Sequence, residues 1–135
     1  MVAYYDTSAL VKLAVAETES DALGIYWATH PNPTSSALAR TELMRAVRAE
    51  PTEVKTNARA VLASLDLIGL DDSVLDTAAS LDPHILRTLD AIHIAAALSL
   101  GSFLDELVTY DKRMTTAARR LGIAVASPHP GDLSA

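Results

Sequence analysis

Apolar positions along this chain fall into short runs with two alternating spacings. Val2 to Tyr5 is a compact apolar run stopped by Asp6 and reads as a strand; a helix follows from about Ala9, with Thr7 or Ser8 as its cap. Glu17 to Glu19 interrupt the pattern, and a second amphipathic helix runs from about Ser20 to Thr29, ended by Pro31 and Pro33. Thr34 to Ala37 suits a short strand. From there to Ala49 the spacing predicts a helix, with Leu43, Ala46 and Val47 on one face and Arg40, Arg45 and Arg48 largely off it. Pro51 suits the first turn of another helix, which Val54, Ala58, Val61, Leu62 and Leu65 carry on a helical period. Leu67 to Leu70 reads as a strand, and Asp71 to Leu81 as a short helix opened by acidic residues. An apolar helix from about Leu89 to Leu100 is capped by Thr88 and stopped by Gly101. Glu106 to Tyr110 predict a strand, Lys112 to Leu121 a helix ended by Gly122, and Ile123 to Ala126 a last strand.

Strands alternating with helices predict an α/β fold, a parallel sheet covered on both faces. Ligands of such sheets bind beyond the carboxyl ends of strands, where the strand order reverses. Asp6 and Asp111 both follow predicted strands, so neighbouring first and fourth strands would place them in one crevice. Glu42 and Asp90, on predicted helices, could then reach in from the flanks. Carboxylates brought together repel one another and lose water, a cost that a hard divalent cation offsets. The pattern therefore predicts a Mg²⁺ or Mn²⁺ site.

At 135 residues and 50% hydrophobic composition, the chain has the material for one core, and a single domain over 1–135 is expected. Cysteine is absent, which excludes disulfides and thiolate metal sites and leaves oxygen or imidazole ligands. The beginning of the chain lacks a basic leader, and the richest apolar stretch, Ala91 to Leu100, is too short for a bilayer and contains His93 and Ser99. A cytoplasmic protein without membrane contact is the expectation. A net charge of −6 argues against holding nucleic acid by overall charge, though not against acting on it through a metal.

Four segments carry a resemblance to a known family: Asp6-Thr7-Ser8-Ala9-Leu10, Ala37-Leu38-Ala39-Arg40-Thr41-Glu42-Leu43, Leu86-Arg87-Thr88-Leu89-Asp90-Ala91-Ile92-His93, and Val108-Thr109-Tyr110-Asp111-Lys112-Arg113. In order and spacing they resemble the PIN-domain ribonucleases, and more narrowly the VapC toxins of bacterial type II toxin-antitoxin pairs. The resemblance implies a three-layer fold around a five-stranded parallel sheet of order 3-2-1-4-5. It also implies Mg²⁺- or Mn²⁺-dependent RNA cleavage, homodimerisation, and silencing by a cognate antitoxin. Transferred residue by residue, it makes Asp6 and Asp90 the principal metal ligands, Glu42 and Asp111 further acidic members, and Thr109 a supporting hydroxyl. Some relatives carry another acid shortly after the fourth carboxylate; Lys112 and Arg113 stand there instead, which weighs against a second tightly held ion.

Each residue also has an ordinary reading. Asp6 suits a helix N-cap, Asp90 a favourable partner of a helix dipole, Glu42 a solvated helical position, Asp111 a turn and Thr109 a strand threonine. His93, three residues after Asp90, is within reach of the acids as a ligand or proton carrier, but its apolar neighbours favour a packed helix histidine. His30, His84 and His129 sit by prolines without ligand spacing. Ser8 lacks the glycines of a nucleophile elbow, so capping or substrate contact suits it better. Arg40, Arg45, Arg48, Lys55 and Arg59 form a basic strip beside Glu42, and Arg87, Lys112 and Arg113 bracket the other acids, either as phosphate contacts or as solvated surface. Tyr4, Tyr5 and Trp27 read as core or interface. The alternatives are a PIN-type nuclease of RNA processing or DNA metabolism, a receiver-like phosphoacceptor domain, and a metal-free interaction module. The receiver reading needs a paired acid after the first strand, where Thr7 stands.

Overall fold

Successive side chains of a strand point to opposite faces of a sheet, and the first strand founds both halves of the core in this way. In a computed structural model, which describes residues 1–82 and 86–133, β1 (Val2–Tyr5) sends Tyr5 to one face and Tyr4 to the other. The chain continues through α1 (Thr7–Ala14), α2 (Ser20–Thr29), β2 (Thr34–Ser36), α3 (Leu38–Ala46), α4 (Thr52–Ser64), β3 (Asp66–Ile68) and α5 (Asp72–Ser80). It ends with α6 (Thr88–Leu98), β4 (Leu104–Val108), α7 (Lys112–Arg120) and β5 (Val125–Ala126). All four strand pairings are parallel, and the order is β3-β2-β1-β4-β5, as the resemblance implied.

One core half gathers Ala3, Tyr5, Leu10, Leu23, Leu43 and Val108, with Trp27 and Val61 packed against it. The other gathers Tyr4, Ile94 to Ala97, Leu107, Met114 and Ile123. The run Ala95-Ala96-Ala97 is buried; small side chains there let α6 lie close on the sheet and bring His93 against Tyr4, their rings 5.8 Å apart and nearly perpendicular. Because β1 is central, with β2 on one side and β4 on the other, the order reverses beside it. In α/β sheets ligands bind at such a reversal, here beyond the carboxyl ends of β1 and β4.

Several boundaries differ from the sequence reading. Asp6 itself caps α1, in place of Thr7 or Ser8. The residue before α6 is Arg87, without a side-chain cap bond, and Thr88 is already helical. Pro51 precedes α4 instead of entering its first turn. Strand β4 begins at Leu104 because Leu104 pairs with Val2, and it ends at Val108, so Thr109 and Tyr110 lie beyond it. Pairing partners, which propensity does not see, set those ends. The predicted stop at Gly122 holds, with left-handed φ of +78° just past the end of α7, whereas α6 ends at Leu98, short of the predicted Leu100, and Gly101, at φ +55°, opens a 3-10 turn.

Candidate active site

Asp6 sits where β1 ends. Its N–H extends the ladder to the Val108 carbonyl at 3.1 Å, and its backbone is extended, so the side chain turns back over the start of α1. Oδ1 accepts from the Ala9 N–H at 3.1 Å and from Ser8 Oγ at 2.7 Å, while Oδ2 accepts from Thr109 Oγ1 at 2.5 Å. Thr109 is fully buried and Asp6 is 2% exposed. Both hydroxyls also accept: Tyr110 N–H donates to Ser8 Oγ at 3.0 Å and Asp111 N–H to Thr109 Oγ1 at 3.1 Å. The segment after β4 is thus tied to the first turn of α1. Asp111 caps α7, its Oδ1 accepting from the N–H groups of Arg113 and Met114. Burial pushes the Asp6 carboxyl above its ordinary range, although the bonds from Thr109, Ser8 and Ala9 and the charge of His93 pull the other way.

Glu42 projects from α3, half-buried, and is held differently. Its Oε1 accepts from Thr7 Oγ1 at 2.6 Å and lies 2.6 Å from His93 Nε2. His93 is 1% exposed, and its Nδ1 lies 2.7 Å from the Tyr4 hydroxyl. Burial raises the Glu42 carboxyl, but the bonds from His93 and Thr7 outweigh it, and the net direction is downward. Asp90, in the first turn of α6, has no side-chain hydrogen bond among the described residues. Its carboxyl is raised first by burial and then by the charge of Asp111; His93 and Arg87 oppose this and Glu42 reinforces it. Asp90 therefore feels both Asp111 and Glu42 electrostatically.

Among the described residues, the trio of His, Asp and Glu side chains whose ligand atoms all lie within 4.8 Å of one another is His30, Asp105 and Glu106, not a trio drawn from Asp6, Glu42, Asp90 and Asp111. That cluster lies at the start of β4, and Tyr26 accounts for much of it: its hydroxyl donates to Glu106 at 2.7 Å and its carbonyl lies 2.7 Å from His30 Nδ1. The four acids at the carboxyl end form a looser set. Its chemistry still fits a hard cation: every donor is oxygen, Asp6 is buried with only neutral groups bonded to it, and no Lys or Arg ion-pairs with any of the four among the described residues. Magnesium keeps several waters and needs only one or two direct carboxylates, so a loose set suffices.

His93 is both packed, as its neighbours implied, and bonded to Glu42. Ser8 braces Asp6 instead of capping the helix. Thr7 and Tyr4, read from sequence as a cap and a core residue, turn out to support the acids; the three-residue spacing of Asp90 and His93 was the only local hint of this half. Tyr5 and Trp27 pack together, rings 5.1 Å apart. Arg40, Arg45, Arg48, Arg59, Arg87, Lys112 and Arg113 are exposed, and Lys55 is partly so. His129 lies 3.4 Å from Asp132, and His84 falls outside the described residues.

The chain matches the PIN domain family over residues 3–120. It is 53% identical to Ribonuclease VapC46 of Mycobacterium tuberculosis (strain ATCC 25618 / H37Rv) over 125 residues, covering 93% of this chain and 96% of that one. Identity to Ribonuclease VapC35 of Mycobacterium tuberculosis (strain CDC 1551 / Oshkosh) is 45% over 129 residues, again 93% and 96% of the two chains. Among solved structures, the Mycobacterium tuberculosis sarcin-ricin loop cleaving toxin VapC20 superposes with a TM-score of 0.74 at 16% identity, covering 93% of this chain and 99% of that one. A chain of a toxin-antitoxin complex from Klebsiella pneumoniae superposes with a TM-score of 0.72 at 21% identity, covering 94% and 98%. At those identities the two structures speak to the fold. With the family match spanning most of the chain and relatives this similar along nearly their whole length, the chain belongs to the PIN-domain family, among the VapC ribonucleases.

Proposed function

We propose that this chain is a single-domain, cytoplasmic endoribonuclease, the toxin of a type II toxin-antitoxin pair, whose site is Asp6, Glu42, Asp90 and Asp111 with Thr109 in support. The observation that carries this reading is the buried Asp6, held by neutral donors alone, at the strand-order reversal of a chain 53% identical to a VapC ribonuclease. Asp6 and Asp90 would hold the cation, with Glu42 and Asp111 contributing directly or through water. Magnesium or manganese so bound supplies positive charge for the phosphate's non-bridging oxygens and activates a water for attack.

The remaining work falls to the chain. Thr109, Ser8 and the Ala9 N–H fix the Asp6 carboxylate, so its geometry is set before substrate arrives. Glu42, held below the usual carboxylate range, is ionised at neutral pH and suited to accept a hydrogen bond from the attacking water. Arg87, Lys112 and Arg113 are exposed close to the acids along the chain and suit RNA phosphates.

A homodimer is part of the proposal. The apolar helical stretches from Leu10 to Trp27 and Val54 to Leu65 spend most of their apolar side chains on the core. Among the described residues, the large apolar side chains left exposed are those of Ile25, Leu75, Leu89, Phe103, Leu121 and Met1. The antitoxin is expected to place an Arg or Lys among the four acids, taking over the cation's electrostatic role.

The test is cleavage of single-stranded RNA with Mn²⁺ by wild-type and Asp6→Asn protein, with growth followed on induction of each. Wild type should cut and arrest growth, and co-expression of the antitoxin should relieve the arrest. A folded Asp6→Asn chain that cuts RNA and arrests growth like wild type would refute the reading.

A further inference from the structure

The chain Tyr4, His93, Glu42 is buried at one end and half-buried at the other, and a cut at the acids does not by itself require it. A carboxylate only accepts hydrogen bonds, so the 2.6 Å contact between Glu42 Oε1 and His93 Nε2 places the hydrogen on Nε2. Nδ1 lies 2.7 Å from the Tyr4 hydroxyl, which can donate to a lone pair there or accept an N–H from it. Tyr4 is rooted in the central strand and fully buried, and α6 is pressed against it by alanines. The imidazole therefore has its orientation set from behind by the sheet. Thr7 Oγ1 donates to the same Glu42 oxygen at 2.6 Å and lies 3.3 Å from Nε2. Both protein donors converge on Oε1. Among the described residues no protein group donates to Oε2.

We propose that His93, anchored by Tyr4, is a positioning residue for Glu42: with Thr7 it immobilises one carboxylate oxygen and reserves the other for the water or hydrated cation at the site. The proposal rests on the reading that the acidic set is catalytic. It assigns His93 no ligand or proton-transfer role, and it explains why a histidine occupies a buried helix position otherwise filled by aliphatic and small residues. A freely rotating glutamate would present either oxygen in many geometries, whereas a locked one offers a single geometry to the reacting water.

The first readout needs neither metal nor substrate. In ¹⁵N-labelled, metal-free protein the His93 Nε2–H should give a downfield proton resonance slow to exchange with water, shifted by Glu42→Gln and weakened by Tyr4→Phe. A resonance indifferent to Glu42→Gln overturns the proposal. The second is kinetic, on a short single-stranded RNA with Mn²⁺. His93→Phe should lower kcat by about 10- to 100-fold with KM nearly unchanged. His93→Gln, whose amide N–H can stand in for Nε2–H, should recover most of the loss. Against residual activity in a Glu42→Gln background, His93→Phe should cost nothing further; an additive loss overturns the proposal. If His93→Phe fails to fold, Tyr4→Phe, which keeps the ring, carries the same test through a smaller fall in kcat, and unchanged kcat in folded Tyr4→Phe and His93→Gln protein with normal resonances overturns it. Asp6→Asn run in parallel separates the failures. An inert Asp6→Asn chain beside a fully active His93→Phe chain removes the positioning role alone, whereas an active Asp6→Asn chain removes the acidic site and this role with it.

Discussion

Asp6 and Glu42 lie in one site, yet the protein holds them in opposite ways. Asp6 is buried among neutral donors, two hydroxyls and one backbone N–H, and its carboxyl is pushed upward by lost water. Glu42 is only half-buried, has an imidazole and a hydroxyl on one oxygen, and is pushed downward. The difference teaches that a carboxylate can be positioned with or without being electrostatically satisfied. In the Asp6 half the hydrogen bonds offset the burial of the charge only in part; in the Glu42 half the protein stabilises the charge by itself. Cation affinity should therefore concentrate in the first half, and orientation of the reacting water in the second.

Removing the Asp6 charge tests this contrast most severely. Asp6→Asn should lower RNA cleavage by on the order of 10³-fold, the scale of several kcal/mol of lost charge stabilisation. The same change should leave the metal-free melting temperature equal or higher, since a buried charge disappears. An RNA cleavage assay checks the first statement, and differential scanning calorimetry with and without Mn²⁺ the second. Mn²⁺ at 100 times its dissociation constant should stabilise wild type by about 2.7 kcal/mol and the variant by far less. Equal Mn²⁺ stabilisation in the two would contradict the division of labour.

Glu42→Gln should cost less, about 10- to 100-fold in kcat, with most of the Mn²⁺ stabilisation kept. Steady-state kinetics beside Mn²⁺ titration calorimetry would decide; a complete loss of Mn²⁺ binding would make Glu42 a principal ligand and erase the contrast.

Thr109→Val removes a donor to Asp6 and an acceptor for the Asp111 N–H at a fully buried position. Leaving such groups unpaired should cost about 1 to 3 kcal/mol of stability, read by denaturant unfolding, and activity should fall with it. A stability within error of wild type would mean that the Thr109 bonds carry no weight.

Asp111 offers the finest cut. Asp111→Ala removes a helix cap and should cost about 1 kcal/mol, whereas Asp111→Asn keeps the cap and removes only the charge. If the two variants unfold alike, the cap contributes nothing; if both cleave RNA like wild type, the charge contributes nothing.

The outline of the fold was legible in the sequence because apolar spacing is local: Val2 to Tyr5 read as short and buried, Val54, Ala58, Val61 and Leu62 followed a helical period, and Gly122 marked a stop that left-handed backbone bears out. The family segments were legible for a related reason, since an acid directly after an apolar run keeps its place in sequence whatever the rest of the chain does. The ends of β4 were not legible, because pairing with β1 sets them across a separation of about a hundred residues. Neither was the inner support of the site. Thr7, Ser8, Tyr4 and His93 looked like caps and core because a hydroxyl or an imidazole carries no mark of its partner until the sheet closes. Tertiary structure alone decided that Ser8 and Thr109, 101 positions apart, would grip the same carboxylate, and that Tyr4 would reach Glu42 through a histidine from another helix. Hydrogen bonds depend on distance and direction in space, and sequence records neither.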